Sequence, residues 1–228
     1  MHTKRIAVGY GKKDKWIVTP NPGPHPKDRS IPLLLIVRDI LKYADTAREG
    51  KAIIHKGLIS VDKKVRKDPK FGVGLMDIVE IPKLKKCYRV LPNKKGFRNL
   101  KLKEINPKES NLKLCKILNK RIIDKETMQL NLHDGSNILI KKEDSDKFKT
   151  KDTIVLELPK KNIKKVLNFK KGNTAIITKG RHSGELGKIS EITESTQTRK
   201  SITKINGIQT LTDYVFIVGD EKKPIITI

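Results

Sequence analysis

Five histidines, two cysteines and one adjacent His–Asp pair are the residues here whose types could support catalysis or hold a metal. His2, His25, His55, His133 and His182 are scattered, without the spacings that gather ligands around one ion. Cys87 and Cys115 lie far apart with no Cys-x-x-Cys, which points to neither a disulfide framework nor a zinc site and fits a reduced setting. Gly72-Val73-Gly74 and Gly172-Asn173 lack the Gly-Lys-Ser/Thr of a phosphate loop. His133 adjoins Asp134, but Gly135 makes a turn the better account of that pair. No catalytic residue, cofactor or metal is therefore expected. What the sequence does offer is ionic chemistry. Lys and Arg total 51 against 25 Asp and Glu, a formal net charge of +26. Arg48, Lys51 and His55 recur at helical spacing, and Lys179, Arg181 and His182 crowd between glycines, so both sets are candidates for holding a polyanion.

Two short helices and a hairpin must position the first set. Ile31 to Ala44 carries Leu33, Val37, Ile40, Leu41 and Ala44 at helical spacing, with Ser30 as its N-cap. A second helix starts at Thr46, where Thr46 and Glu49 form a capping box, and stops at Gly57, a residue that takes the left-handed turn. Ile53 and Ile54 should face the core, leaving Arg48, Lys51 and His55 together on the other side. A solvated helix face is the alternative reading of those three. Ser60 and Val61 then lead through a tight Asp62-Lys63-Lys64 turn into Val65.

The cationic excess is spread along the chain. There are 7 basic against 2 acidic residues over 1–30, 14 against 7 over 31–92, 21 against 10 over 93–170, and 9 against 6 over 171–228. Such a spread suits a body that touches polyanion on several sides, and nucleic acid is the leading partner. A membrane is disfavoured, because the longest apolar run, Ile31 to Val37, contains a proline and is far shorter than the ~20 residues of a span. The N-terminus has no signal-peptide pattern. Aromatic residues make up 4%, so phosphate contacts should outweigh base stacking.

Residues 1–30, rich in proline and glycine, read as an extended basic arm that orders only on its partner. Trp16 has two roles open, packing the arm onto a domain or stacking on a base. Residues 93–170 read as a β-rich domain: Met128, Leu130 and Leu132 alternate with polar neighbours, Asp134-Gly135 makes a hairpin turn, and Ile138 and Ile140 return. Thr153 to Leu158 is a further strand in which Val155 leaves the buried face undecided. From 171 a glycine pattern takes over, with Gly180, Gly184 and Gly187 allowing Lys179, Arg181 and His182 to protrude on a tight loop. Lys200 to Ile205 and Tyr214 to Val218 supply further strands.

Arg38-Asp39, Ala47 to Gly57, Val61 to Val65 and Met76-Asp77-Ile78-Val79 resemble the RNA-binding module named after bacterial small-subunit ribosomal protein four. Gly50 stands where that module usually has alanine. Gly172, Asn173, Ile176, Gly180, Gly184, Gly187 and Ile189 resemble the KOW motif, which is housed in a small SH3-like barrel. The order of these parts, together with PGPHP, SIPLLLIVRDILKYADTARE, GLMDIVEIP and QLNLHDGSNI, is similar to the archaeal and eukaryotic small-subunit ribosomal protein four family ("S four e"). Ending soon after Tyr214-Val215-Phe216 favours its shorter archaeal form.

The resemblance implies an α+β, multi-module fold: an arm at 1–30, an αα-β-hairpin RNA-binding module at 31–92, a β-rich central domain at 93–170 and a KOW SH3-like β-barrel at 171–228. It also implies a cytoplasmic, structural constituent of the small ribosomal subunit. Its partners would be the 5′ domain of small-subunit rRNA and neighbouring small-subunit proteins, with no small-molecule substrate. The expected rRNA contacts are Lys4, Arg5, Lys12, Lys13, Lys15 and His25 in the arm. In the module they are Arg38, Lys42, Arg48, Lys51, His55, Lys56, Lys63 and Lys64, and near the C-terminus Lys179, Arg181, His182, Arg199 and Lys200. The alternatives are a free RNA-binding regulator or elongation-type factor and, in another class, an RNA-modifying enzyme. Pseudouridine synthases and tyrosyl-tRNA synthetases carry the same first module. The enzyme reading is disfavoured because no Arg-Leu-Asp and no separate catalytic domain can be found.

Overall fold

Proline decides where the first helix begins. Ile31–Pro32 (β1) is extended and pairs antiparallel with Gly72 and Val73, so the helix expected from Ile31 does not start there. Pro32 has no N–H to give and stands immediately before Leu33–Leu35 (α1). Ser30 is not its cap; the Ser30 hydroxyl donates to Pro26 O at 3.2 Å. α1 opens into a wider π-type turn, Ile36–Ile40, in which Leu41 N–H reaches back to Ile36 O at 2.9 Å. Lys42, at φ 54°, ends the run short of Ala44. Leu33 to Val37 are buried all round rather than along one stripe.

The structure is a computed structural model and describes residues 17–97, 100–197, 199–221 and 224–227. Lys4, Arg5, Lys12, Lys13, Lys15 and Trp16 lie outside the described residues. Two compact units divide the chain, one of residues up to 113 with 158–160, the other of 114–157 and 161–228.

In the first unit, α2 (Ala47–His55) begins with the expected capping box: Glu49 N–H donates to Thr46 Oγ1 at 3.2 Å and Thr46 N–H to Glu49 Oε2 at 3.4 Å. Gly57 closes it at φ 71°. Gly50 has a packing reason to resist alanine, since a Cβ there would stand 2.7 Å from Leu34 Cδ1. The glycine lets α1 and α2 approach closely, at some cost in helix propensity. β2 (Ser60–Val61) and β3 (Lys64–Val65) form a hairpin whose turn residues, Asp62 and Lys63, both have positive φ, the geometry that matches strand twist. With β4 (Gly72–Val73) paired to β1, the main sheet is completed by β5 (Ile78–Ile81), β6 (Lys86–Phe97) and β7 (Leu100–Ile105) in the order β3-β2-β5-β6-β7. The boundary expected at 92–93 falls inside β6. The strand runs through Pro92, whose partner is Leu100, and a register shift there absorbs the irregularity.

The arm also departs from expectation, because its described part is folded. Ile17 and Val18 pack on the core of Leu34, Ile36, Ile54, Val61 and Val79. Asn21 N–H donates to Lys70 O at 2.9 Å, and Lys27–Arg29 makes a 3₁₀ turn. Backbone bonding and the packing of Ile17 and Val18 tie these residues to the first unit.

The second unit is built from two five-stranded antiparallel sheets. β8 (Leu112–Ile122), β9 (Thr127–Leu132), β10 (Asn137–Lys141), β11 (Thr153–Glu157) and β12 (Asn162–Leu167) are ordered β10-β9-β8-β11-β12. Met128, Leu130 and Leu132 point inward as their alternation requires, and Asp134-Gly135 makes the turn. Val155 left its face undecided because Thr153 to Leu156 are all buried. The other sheet joins β13 (Thr174–Ile177), β14 (Leu186–Thr193), β15 (Ile202–Ile205), β16 (Ile208–Leu211) and β17 (Val215–Gly219) in the order β16-β15-β14-β13-β17. The α+β class holds at this level, with few helices and mostly antiparallel sheet. No helix among the described residues is long and apolar enough to cross a membrane.

Candidate nucleic-acid interface

The capping box orients α2 so that Ile54 is buried while Arg48, Lys51, His55 and Lys56 are exposed. Lys64 is exposed on the neighbouring hairpin. None of these five is held in an ion pair among the described residues, so their charge is presented to solvent. Lys42 is also exposed, and Arg38 chelates its neighbour Asp39 with Nε–Oδ1 at 2.7 Å and Nη2–Oδ2 at 3.0 Å.

Two expected contacts are engaged by carboxylates distant in sequence. His25 is buried, its Nε2 lying 2.9 Å from Asp77 Oδ2. Gly74 leaves room for the imidazole, since a Cβ at that position would stand 2.2 Å from the ring. The sequence concealed this because 52 residues separate His25 from Asp77. Lys63 is engaged too, by Glu80 Oε1 at 2.6 Å and Ser110 Oγ at 2.8 Å.

Asp77 is the centre of a charged network. Its Oδ2 also accepts the Gly74 N–H at 2.8 Å, and its Oδ1 takes the Lys113 ammonium at 2.7 Å. Lys113 bonds Asp62 Oδ2 at 2.6 Å as well. Burial works against the Asp77 carboxylate, but Lys113 and His25 outweigh it and hold the pKa well below the usual range. Asp62 goes the other way, pushed up to about 6 by burial and by the charge of Asp77 against the pull of Lys113. Arg89, fully buried, has its pKa lowered to about 10 by burial and donates Nη2 to Leu112 O at 2.7 Å and Glu109 O at 3.1 Å. Sequence reasoning missed Arg89, Lys113 and Lys116 as internal cations, because in a chain this basic a buried lysine looks like any other.

In the second unit, Arg181, Arg199 and Lys200 are exposed. Lys179 is half-buried, its Nζ 4.9 Å from the centre of the Tyr214 ring. His182 Nδ1 lies 2.9 Å from Glu185 Oε1. Gly180 and Gly184 both adopt positive φ in this loop. The lysine pairs of β12 are partly engaged, Lys164 by Glu157 at 2.8 Å and Lys165 by Asp220.

Contrary to the scattered spacing in sequence, Cys115, His133 and Asp134 come together, with ligand atoms within 4.8 Å of one another. They serve the hairpin turn: Asp134 Oδ1 accepts the Ser136 N–H and hydroxyl, and His133 Nδ1 accepts the Lys116 N–H at 3.2 Å.

Lys116 is buried on β8 and donates Nζ to Val215 O at 2.7 Å and Asp213 O at 3.2 Å. Burial lowers its pKa from 10.5 to about 8. The unfolded chain therefore binds the proton more tightly between about 8 and 10.5, so this group adds stability as pH rises through that window, and its penalty is fully present below pH 8. Melting curves across that range should show a rise in stability that Lys116→Met removes. Parallel profiles for the two proteins would contradict the assignment.

An αα-hairpin unit with an unpaired cationic helix face, joined to antiparallel sheets that carry further exposed arginine and lysine, defines a multi-module polyanion-binding protein. Two family models match the chain: the S4 domain over residues 33–79 and ribosomal family S4e over 84–163. The small ribosomal subunit protein eS4 of Methanocaldococcus jannaschii is 47% identical over 239 residues, 99% of this chain and 96% of that protein. Its counterpart in Archaeoglobus fulgidus is 44% identical over 240 residues, 99% of this chain and 97% of that protein. The crystal structure of 30S ribosomal protein S4e from Thermoplasma acidophilum matches with a TM-score of 0.75 at 34% identity, covering 87% of this chain and 99% of that one. The chain belongs to the ribosomal S4e family.

Proposed function

We propose that the chain is a structural constituent of the small ribosomal subunit, bound to small-subunit rRNA through phosphate and shape contacts. The observation that carries this reading is the α2 face, where Arg48, Lys51, His55 and Lys56 stand exposed, without acidic partners among the described residues, in a chain of net charge +26. Lys64, Lys42, Arg181, Arg199 and Lys200 extend the cationic surface, and Arg38, Lys179 and His182 reach RNA by exchanging their present neighbours. His25 is excluded, since it is buried against Asp77, and Lys63 joins the side chains that would first have to leave a carboxylate, here Glu80. The arm residues Lys4, Arg5, Lys12, Lys13 and Lys15 add charge to the same partner, read here as the 5′ domain.

β13 to β17 work as a KOW-type SH3-like barrel. The strand–loop–strand of β13 and β14, with Gly180 and Gly184 left-handed between them, supports that reading. Arm, first module, central sheet and barrel then act as linked binding units, each raising the effective concentration of the next. Neighbouring small-subunit proteins are the other partners, the setting is the cytoplasmic ribosome, and the role is that of a scaffold rather than an enzyme.

Cosedimentation with small subunits through a high-salt wash tests the proposal. A subunit component is retained, because several modules must let go together. Release into the supernatant would instead identify a free RNA-binding regulator.

A further inference from the structure

We infer that the outward face of β8–β9–β10 is a second RNA-contact surface, one that lies in the shallow groove of a double-stranded segment. The inference rests on the rRNA reading above and adds a surface and a mode of contact to it.

Register places six outward side chains in two rows across the three strands. Asn119, Asn131 and Asn137 form one row, and Arg121, Gln129 and Leu139 the next. Asn119, Arg121, Asn137 and Leu139 are exposed, while Gln129 and Asn131 are half-buried. Strands about 4.8 Å apart and same-face residues roughly 6.6 Å apart make this a small, shallow array of regular spacing.

Its chemistry is specific. Four amides can each donate and accept, which is what a ribose 2′-hydroxyl requires. A-form RNA displays its 2′-hydroxyls and base edges in a groove wide and shallow enough for a sheet face. Two amide oxygens are already fixed: Asn131 Oδ1 accepts from Gln129 Nε2 at 2.7 Å, and Asn119 Oδ1 accepts from the Lys120 N–H at 2.8 Å. Their orientation is set before a partner arrives, which lowers the ordering cost of binding.

Charge complementarity selects the occupant. Neither row contains a carboxylate, Arg121 is cationic, and Lys141 is exposed one step further along β10. Asp124 stands in the turn beyond the face, where its carboxylate accepts from Thr127 Oγ1 at 3.2 Å. Leu139 is 64% exposed, and ribose C–H groups would cover it. A protein partner is disfavoured because the two rows lack the aromatic anchors that dominate such interfaces.

Directed hydroxyl-radical cleavage with the full chain bound to refolded small-subunit rRNA tests this. Cys87 and Cys115 form no disulfide and are buried, so an iron–EDTA tether on Asn137→Cys reports from the new face. A tether on Lys51→Cys reports from α2. Cuts from position 137 on both strands of one helix are expected. Cuts from position 51 with none from 137, or with cuts from 137 confined to a single-stranded loop, would overturn the groove contact and leave the rRNA reading standing. Cuts from neither position would overturn both. In parallel, Asn119→Asp with Asn137→Asp, nearly isosteric, should weaken rRNA binding by about tenfold or more by setting carboxylates against phosphates. Unchanged affinity would also overturn the inference.

Discussion

Between roughly 50 and 200 mM salt, the affinity of the full chain for naked small-subunit rRNA is expected to fall by about 10³-fold or more. Each phosphate neutralised by lysine or arginine releases a condensed counterion, and every released ion adds nearly one unit to the slope of log affinity against log salt. The α2 cations Arg48, Lys51 and Lys56, with Lys64 on the hairpin and Arg181, Arg199 and Lys200 in the second unit, are exposed and are the proposed source of several such contacts. A salt titration by filter binding gives the slope directly. A flat response would mean that hydrogen bonding and stacking hold the RNA and that the charge of +26 has another use.

Asp77→Ala is expected to destabilise the first unit by about 3–5 kcal/mol, the usual result of breaking a buried ion pair from one side. The substitution leaves Lys113, whose side chain is 2% exposed, beside Asp62 without the Asp77 carboxylate, and takes Asp77 Oδ2 away from His25 and the Gly74 N–H. Asp144→Ala offers the contrast. Its pair with Lys147 at 2.6 Å is solvent-exposed, and its removal should leave stability nearly unchanged. A chain of two units need not unfold in one step, so the opening free energy belongs to hydrogen exchange at core amides such as Val79. A loss below about 1 kcal/mol for Asp77→Ala would show that the network does not hold the hairpin turn, the closing strand and residue 25 together.

Local signals in the sequence were enough for the second helix, where Thr46, Glu49 and Gly57 act within a few residues of one another. The same was true of β9 and β10, where alternation and Asp134-Gly135 suffice. The first helix was misjudged because its spacing says nothing about the pairing of Ile31–Pro32 with Gly72–Val73, forty residues away in sequence. β16 was missed although Asn206-Gly207 carries a strong hairpin signal, both residues having positive φ. Cations on the α2 face were legible because helix period decides which side is wet. The engagement of His25 and Lys63 was not, since each meets a carboxylate distant in sequence, and no spacing rule reports on partners brought together by folding. The amide rows of β8–β10 depend on cross-strand register and therefore became visible only with the strands paired.

The central claim is that exposed cations at defined places, rather than diffuse charge, hold the RNA. Comparing rRNA affinity for Arg48→Glu/Lys51→Glu with that for Lys222→Glu/Lys223→Glu tests it most directly, because the two pairs change net charge by the same amount. A clearly larger loss from the α2 pair, about tenfold or more beyond the other, is the predicted result. Equal losses from the two pairs would contradict the assignment of α2 as the contact face.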